Sequence, residues 1–303
     1  MRITNNMLVN NMMYNLANNL TRTEKYQMQL ATGKKISKPS DDPIIAAKAL
    51  RLRTDVSEIE QHEKNTDDAI AWMDITEATL SQMNEVMQRF REITNQAANG
   101  TNTEDDLQKI KAEVSQLKSQ MTNLANATYA GRYIFSGYKT DKALMDDDGN
   151  FLLDVENSEQ IQFEIGVGDL VNVNVLGGDL FNNGADATTT PPTKSTMIKT
   201  FDRVLEAMDA DEKDAISDEL ASIDNDITNM LRVRADLGAR YNRVELTATR
   251  LGEDYVNTTG LMSKNEDVDF AESIMNLSNE RAVYQASLAT SANVIQQSLV
   301  DFI

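Results

Sequence analysis

The chain has 303 residues, 48 acidic and 29 basic, for a formal charge of −19; it contains no cysteine and one tryptophan. Such a length can bury a real core and suggests about two domains, which neither disulfides nor cysteine-held metal can staple. The acidic excess argues against nucleic acid and anionic membranes as partners, since both need clustered Lys and Arg, and no apolar run of about 18 residues is present to cross a bilayer.

The opening MRITNNMLVNNMMYNLANNL lacks the cationic start and apolar block of a cleaved secretory signal. If the protein leaves the cytoplasm, it must use a route that reads something else. Residues 5–31 read as a first helix, with Val9, Met13, Leu16 and Leu20 in one stripe that Leu30 resumes after polar Thr23 and Gln27. Its other faces are crowded with Asn, a weak helix former, so it needs a partner surface. Residues 32–42 break the pattern, with Gly33 as the residue after the helix and Asp42-Pro43 as an N-cap followed by proline at the first helical position.

The next stripe runs Ile45, Ala49, Leu52, Val56 and Ile59, and recurs from Ile70 through Met73, Leu80, Met83, Val86, Phe90 and Ile93 to Ala97. Asn99-Gly100 is a stop signal, and Thr103 caps a third helix whose first turn is acidic. Leu107, Ile110, Val114, Leu117, Met121 and Leu124 form its unbroken heptad, and the short connection suggests an antiparallel hairpin with the second helix.

After Tyr129 the character turns to β. Ile161, Phe163 and Ile165 alternate before Gly166-Val167-Gly168-Asp169, and Val171, Val173 and Val175 alternate after it, while Asp146–Asn150 reads as a hairpin turn. Residues 182–195 are a Gly, Thr and Pro loop, followed by a short helix carrying Met197, Phe201, Val204 and Met208. From Ile216 to Tyr255 apolar residues recur every four then three positions with only Arg234 interrupting, a seam of about 60 Å at 1.5 Å per residue that specifies a helix packed lengthwise on others. Asn257–Asp267 reads as a polar break containing Gly260, and a last helix begins near Val268. Phe270, Ile274, Leu277, Tyr284, Leu288, Ile295, Leu299 and Phe302 mark its apolar track, beside a small track of Ala271, Met275, Ser278, Ala282, Ala289 and Ala292 that permits close helix approach.

Catalytic chemistry finds little support. The lone histidine, His62, reads as a solvated residue on a charged helix, and without Cys no His-rich zinc site or Cys–His pair can be built. Asp146–Asn150 lacks the spacing and the distal bidentate Glu of a calcium loop, and Gly166, Gly168, Gly177 and Gly178 read as turn punctuation rather than phosphate cradles. No metal or cofactor is expected, and an enzyme, for instance a glycosidase-like activity in the β segment, is disfavoured because residues 141–190 are too few to build much of a pocket. The terminal segments, rich in Asn, Gln, Ser and Ala, offset their ordering entropy poorly alone and are expected to fold on partner subunits.

Four stretches carry a resemblance: MRITNNML at the start, LATGKKISKPSDDP at 30–43, QRFREITNQAANGTNTEDD at 88–106, and the end from DFAESIMNLSNERAVYQASLATSANVIQQSLVDFI. The chain resembles the flagellin superfamily of bacterial flagellar axial proteins. ANATYAGRYIFSGYKT at 125–140, VRADLGARYNRVE at 233–245 and the length are most similar to its hook–filament junction members. The resemblance implies a structural flagellar subunit that joins hook-associated protein one to the flagellin filament, with copies of itself in a ring. It further implies export by the flagellar type III pathway without a cleaved signal, an extracellular location, and a cytoplasmic chaperone on the carboxy-terminal segment. A filament-forming flagellin and a non-flagellar coiled-coil scaffold are the alternatives.

The expected architecture is mainly α: a helical bundle or coiled-coil rod formed by both chain ends, with a small β-rich insert. Residues 1–42 and 261–303 form a polymerisation domain, 43–135 and 196–260 a rod, and 136–195 the outer insert. The subunit- and chaperone-contacting residues are Val9, Met13, Leu16, Leu20 and Leu30, together with Phe270, Ile274, Leu277, Tyr284, Leu288, Ile295, Leu299 and Phe302.

Overall fold

The computed structural model describes residues 5–99, 103–188, 193–210 and 212–295. The protein is mainly α with a small β-rich insert. In chain order the elements are α1 (Asn5–Thr32), α2 (Pro43–Ala98), α3 (Glu104–Ala125), β1 (Thr128–Tyr129), β2 (Arg132–Tyr133), β3 (Gln162–Gly166), β4 (Asp169–Asn172), α4 (Gly177–Phe181), α5 (Thr196–Asp209), α6 (Lys213–Glu266) and α7 (Phe270–Ile295). They fall into two compact units: a terminal unit of the two chain ends, through Glu58 and from Glu253, and a central unit, Ile59–Gly252. Helices α2 and α6 contribute to both.

In the central unit the α2 stripe from Met73 to Ala97 is buried throughout, as are Leu107, Ile110, Val114 and Met121 of α3 and Ile216, Ile223, Met230, Leu237 and Val244 of α6. The Thr103 hydroxyl accepts from the Asp106 amide while the Asp106 carboxylate accepts from the Thr103 amide, a reciprocal cap that satisfies two orphan donors at the start of α3. Phe201 of α5 stacks on Phe90 of α2 with ring centroids 3.8 Å apart and an 11° interplanar angle. Arg234, the one interruption of the long seam, donates from Nε to Glu77 on α2 at 2.6 Å, so the charge is paired rather than wasted. An ion pair between Arg89 and Glu113 ties α3 to α2, although the backbone of α3 lies closest to α5.

The insert adds to this core instead of building a second one. Phe135, Phe151, Val155, Ile165 and Phe181 are fully buried and belong to one apolar cluster with the helices. An antiparallel ribbon of β1 with β2 leads into it, and a second, β3 with β4, stiffens it, Phe163 pairing with Val171. Asp146–Asn150 is a tight turn, closed by a bridge between Met145 and Phe151; Gly149 has φ +84° and leaves no room for a Cβ, which would meet the Ile198 side chain at 2.5 Å. The Asn126 side chain, just past α3, holds the insert's first strand-like segment by donating to the Met145 carbonyl and accepting from the Leu144 and Met145 amides.

Three expectations are corrected here. Asn257–Glu266 is not a break: α6 continues through Gly260, where an added Cβ would meet nothing within 4 Å, so its cost there is only the mild one of glycine in a helix. Gly177 and Gly178 open the short helix α4 instead of punctuating a turn. A Cβ at Gly177 would meet Leu144 at 2.5 Å and one at Gly178 the Ala185 carbonyl at 2.5 Å, so close packing demands them. His62 is half-buried, with Nδ1 3.4 Å from the Glu164 carbonyl on β3, while the neighbouring Asn65 donates to the same carbonyl at 2.8 Å.

Candidate assembly interface

In the terminal unit α1 packs against α7, and the seam between them is polar. Asn19, 8% exposed, donates from Nδ2 to Ser287 Oγ at 2.9 Å, and Arg22 Nε donates to both carboxylate oxygens of Glu280 at 3.1 Å. Thr23, Ser273 and Ser291 are buried, and among the described side chains of α7 Leu277 is the one large apolar residue that is buried. A groove of about 500 Å³ runs beside this seam, lined by Leu8, Met12 and Leu16 of α1 and Val283, Ala286 and Ser287 of α7.

Many of the large apolar side chains of the pair are left exposed. Met7, Leu8, Met13, Tyr14, Leu20 and Met28 of α1 and Phe270, Ile274, Met275, Val283 and Leu288 of α7 are all exposed, Phe270 and Ile274 by 55% each. Single exposed apolar residues are ordinary on a soluble protein; a helix pair with hydroxyls and amides inside and Leu, Ile, Phe and Met outside is not. The small track of Ala271, Ser278, Ala282, Ala289 and Ala292 was expected to allow close helix approach, and it too lies on the exposed surface of the protomer. Of the described small residues of α7, Ser273 and Ser291 are buried, and the Ser291 hydroxyl donates to the Ser287 carbonyl one turn back.

Of the residues singled out from sequence, Met13, Leu20, Phe270, Ile274 and Leu288 are exposed, Val9, Leu16, Leu30 and Tyr284 half-buried, and Leu277 buried. Ile295 ends α7, and Leu299 and Phe302 lie outside the described residues.

A second feature was not legible from spacing. Arg53 of α2 grips Glu266 at the end of α6 with two parallel bonds of 2.7 and 2.6 Å, and Lys34 reaches Glu266 at 3.3 Å and Asp267 at 2.6 Å. The Glu266 side chain is 3% exposed. Backbone bonds reinforce the contact: Lys35 N–H donates to the Glu266 carbonyl, and Val268 N–H to that of Gly33. Gly33, at φ +71°, makes the left-handed step that turns the chain into this bridge. Asp42 caps α2 by accepting from the Ile44 and Ile45 amides, and Asp269 caps α7 by accepting from Ala271 and Glu272. The 30–43 stretch thus joins the two chain ends at one polar lock.

The guanidinium of Arg53 holds the Glu266 carboxyl below the ordinary glutamate range, and Lys34 does the same for Asp267. Carboxyls depressed in the folded state contribute stability above their unfolded value, and that contribution is lost as pH falls through the folded one. Acidification below the ordinary carboxylate range therefore loosens the lock. Because the side chain of Arg53 is 57% and that of Lys34 38% exposed, Glu266→Gln is expected to cost about 1–3 kcal/mol rather than the larger figure for a fully buried pair. Hydrogen exchange at the Lys35 and Val268 amides measures it as protection relative to the intrinsic rate at each pH: protection falls in acid for the wild type, and is already low, with a flatter pH response, in Glu266→Gln. Equal protection of both proteins at neutral pH would count against the lock.

Among the described residues no group of three or more His, Asp or Glu is placed to hold a metal, and no helix is long and apolar enough to cross a membrane.

Residues 3–140 match the bacterial flagellin N-terminal helical region, and residues 220–303 match the bacterial flagellin C-terminal helical region. The chain belongs to the flagellin family. Both ends of this flagellin-family chain, and most of its length, fall under the two matches. The flagellar hook-associated protein 3 of Escherichia coli is 29% identical over 95% of this chain and 95% of its own length; the flagellin of Bacillus subtilis is 28% identical over 98% and 97%. The fold is shared with a putative flagellar hook-associated protein of Vibrio parahaemolyticus, with a TM-score of 0.66 and 22% identity over 75% of this chain and all of that one. It is shared as well with Bacillus cereus FlgL, at a TM-score of 0.59 and 24% identity over 70% and 99%. The protein is a structural, flagellin-like protein of the bacterial flagellum.

Proposed function

We propose that this flagellin-family chain sits at the hook–filament junction, joining hook-associated protein one to the flagellin filament through a ring of its own copies. The observation that carries the reading is the inverted helix pair of the terminal unit, with polar residues in its intramolecular seam and large apolar residues outside. Such a surface is completed by neighbouring subunits, and heterologous contacts of that kind extend into helical arrays. The 29% identity with the Escherichia coli hook-associated protein 3 and the stretches at 125–140 and 233–245 support the junction reading, while the Bacillus subtilis flagellin, 28% identical at matching length, makes the filament the alternative to test. In this reading residues 1–42 and 261–303 polymerise, 43–135 and 196–260 form the rod, and 136–195 face outward. The chain leaves the cell by the flagellar export pathway, works outside it in the flagellum, and is held beforehand by an export chaperone on its carboxy-terminal segment. Its role is to position other subunits, with no catalysis.

Electron microscopy of cells lacking the chain tests the reading. Hooks without filaments, with flagellin shed into the medium, are expected. Normal filaments in those cells would exclude a junction role, and long filaments formed by the purified chain alone would favour a filament flagellin.

A further inference from the structure

We infer that Met7, Met13, Met28 and Met275 form a modification site for peroxide-type oxidants, and that their conversion to sulfoxides stops the chain from assembling. Of the fifteen methionines, all but Met1 lie within the described residues, and these are sorted by unit. All eight between residues 59 and 252 are buried, none more than 5% exposed: Met73, Met83, Met87, Met121, Met145, Met197, Met208 and Met230. In the terminal unit the reverse holds: Met12 and Met262 are half-buried, and Met7, Met13, Met28 and Met275 are 53%, 56%, 45% and 57% exposed. The chain has no cysteine to react first, and its one tryptophan, Trp72, is 7% exposed. The thioethers of the terminal helices are therefore the oxidisable groups that a diffusing peroxide meets.

The chemistry is a two-electron oxygen transfer. The methionine sulfur attacks one peroxide oxygen, the O–O bond breaks, the sulfur gains that oxygen and the other leaves as water. A flexible apolar side chain becomes a polar one with a strong acceptor oxygen. These four residues lie among the exposed apolar residues of α1 and α7, so four such oxygens would have to be desolvated when a neighbour covers that surface. The central unit, its thioethers shielded, keeps its fold. The inference rests on the assembly reading above.

The test treats the purified full-length chain with hydrogen peroxide, maps sulfoxides by peptide mass spectrometry, and measures association by sedimentation. Sulfoxide is expected at the four exposed sites at least about tenfold faster than at the eight buried ones, since susceptibility follows exposure. Association should weaken by at least about tenfold, with the helical circular dichroism of the central unit retained. The combined Met7→Leu, Met13→Leu, Met28→Leu and Met275→Leu variant keeps the apolar volume and should associate normally before and after treatment. Comparable oxidation of the buried methionines overturns the inference, as does full association of the oxidised wild type or loss of association by the treated leucine variant. If the untreated chain never associates, the assembly reading falls and takes the second half of the inference with it, while the sulfoxide map still decides the first.

Discussion

A chain ending at Asp269 is expected to lose incorporation into flagella and chaperone capture together, while its central unit melts as in the full-length protein. The deletion removes all of α7, and with it Phe270, Ile274, Val283 and Leu288, whose side chains are exposed in the protomer. Each is about half exposed, so covering it contributes about half of the roughly 1.5–3 kcal/mol of a full burial, and losing even two of them weakens association by about tenfold or more. Inside the protomer α1 loses Ser287 as partner of Asn19 and Glu280 as partner of Arg22, and is left as an Asn-rich helix with no seam to lie in. The residues of the central unit end at Gly252, upstream of the cut. Thermal circular dichroism, chaperone pull-down and microscopy of flagella from complemented cells read the three parts separately. Chaperone capture by the truncated chain would remove the carboxy-terminal segment from that role, and a collapse of the main helical transition would mean that the units do not fold independently. Single alanine variants at Phe270, Ile274 and Leu288 grade the same surface, and normal assembly by all of them would discard it.

Phe201→Ala is expected to be the most damaging single change in the central unit. Phe201 and Phe90 are both wholly buried, and their rings lie nearly parallel at 3.8 Å, so truncating one leaves a cavity walled by the other. Emptying a core aromatic site costs about 3–5 kcal/mol, a large part of the roughly 5–15 kcal/mol that keeps an ordinary domain folded. The change acts on α5, a single short helix that carries Met197, Ile198, Val204 and Met208 into the same core, so the contact between α3 and α5 should loosen with it. Urea denaturation measures the loss as a lower midpoint at unchanged slope. A cost under about 1 kcal/mol would mean that neighbouring side chains collapse into the space and that the stacked pair does not organise the core.

The two outcomes separate two kinds of apolar surface on one chain. In the central unit large apolar residues point inward, and their loss is read as stability. In the terminal unit they point outward, and their loss is read as assembly. A polymer-forming subunit needs both, because a protomer that satisfied all of its apolar surface internally would have nothing left to offer a neighbour.

Much of this was legible in the residues. Asp42-Pro43 and Thr103 with Asp106 are local signals, acting through bonds to amides within one turn, so they could be read directly and stand in the structure. The buried heptads of α2, α3 and α6 were equally plain, since their period is set by helix geometry alone. Gly177, Gly178 and Gly260 misled because a glycine reports only that no side chain is present. Whether it marks a turn, a tight packing site or nothing depends on what lies opposite, Leu144 and Ala185 for the first two and open space for the third. Glu266 escaped notice for a related reason: it stood in an apparent polar break, and its partners Arg53 and Lys34 are more than 200 residues away in the chain.

By itself the sequence determined where helices start, which residues share a face, and that both ends of the chain are flagellin-like. Only the tertiary structure decided which face of α1 and α7 turns inward. The periodicity of Met13 and Leu20, or of Phe270 and Ile274, places residues on a common side of a helix but carries no information on whether that side meets a neighbouring helix or water. Asn19 and Ser287 show the physical reason, because hydrogen-bonding groups that find partners across the seam can be buried there at little cost, while Arg22 and Glu280 pair at its more exposed edge and much of the apolar surface is left to be covered by another molecule.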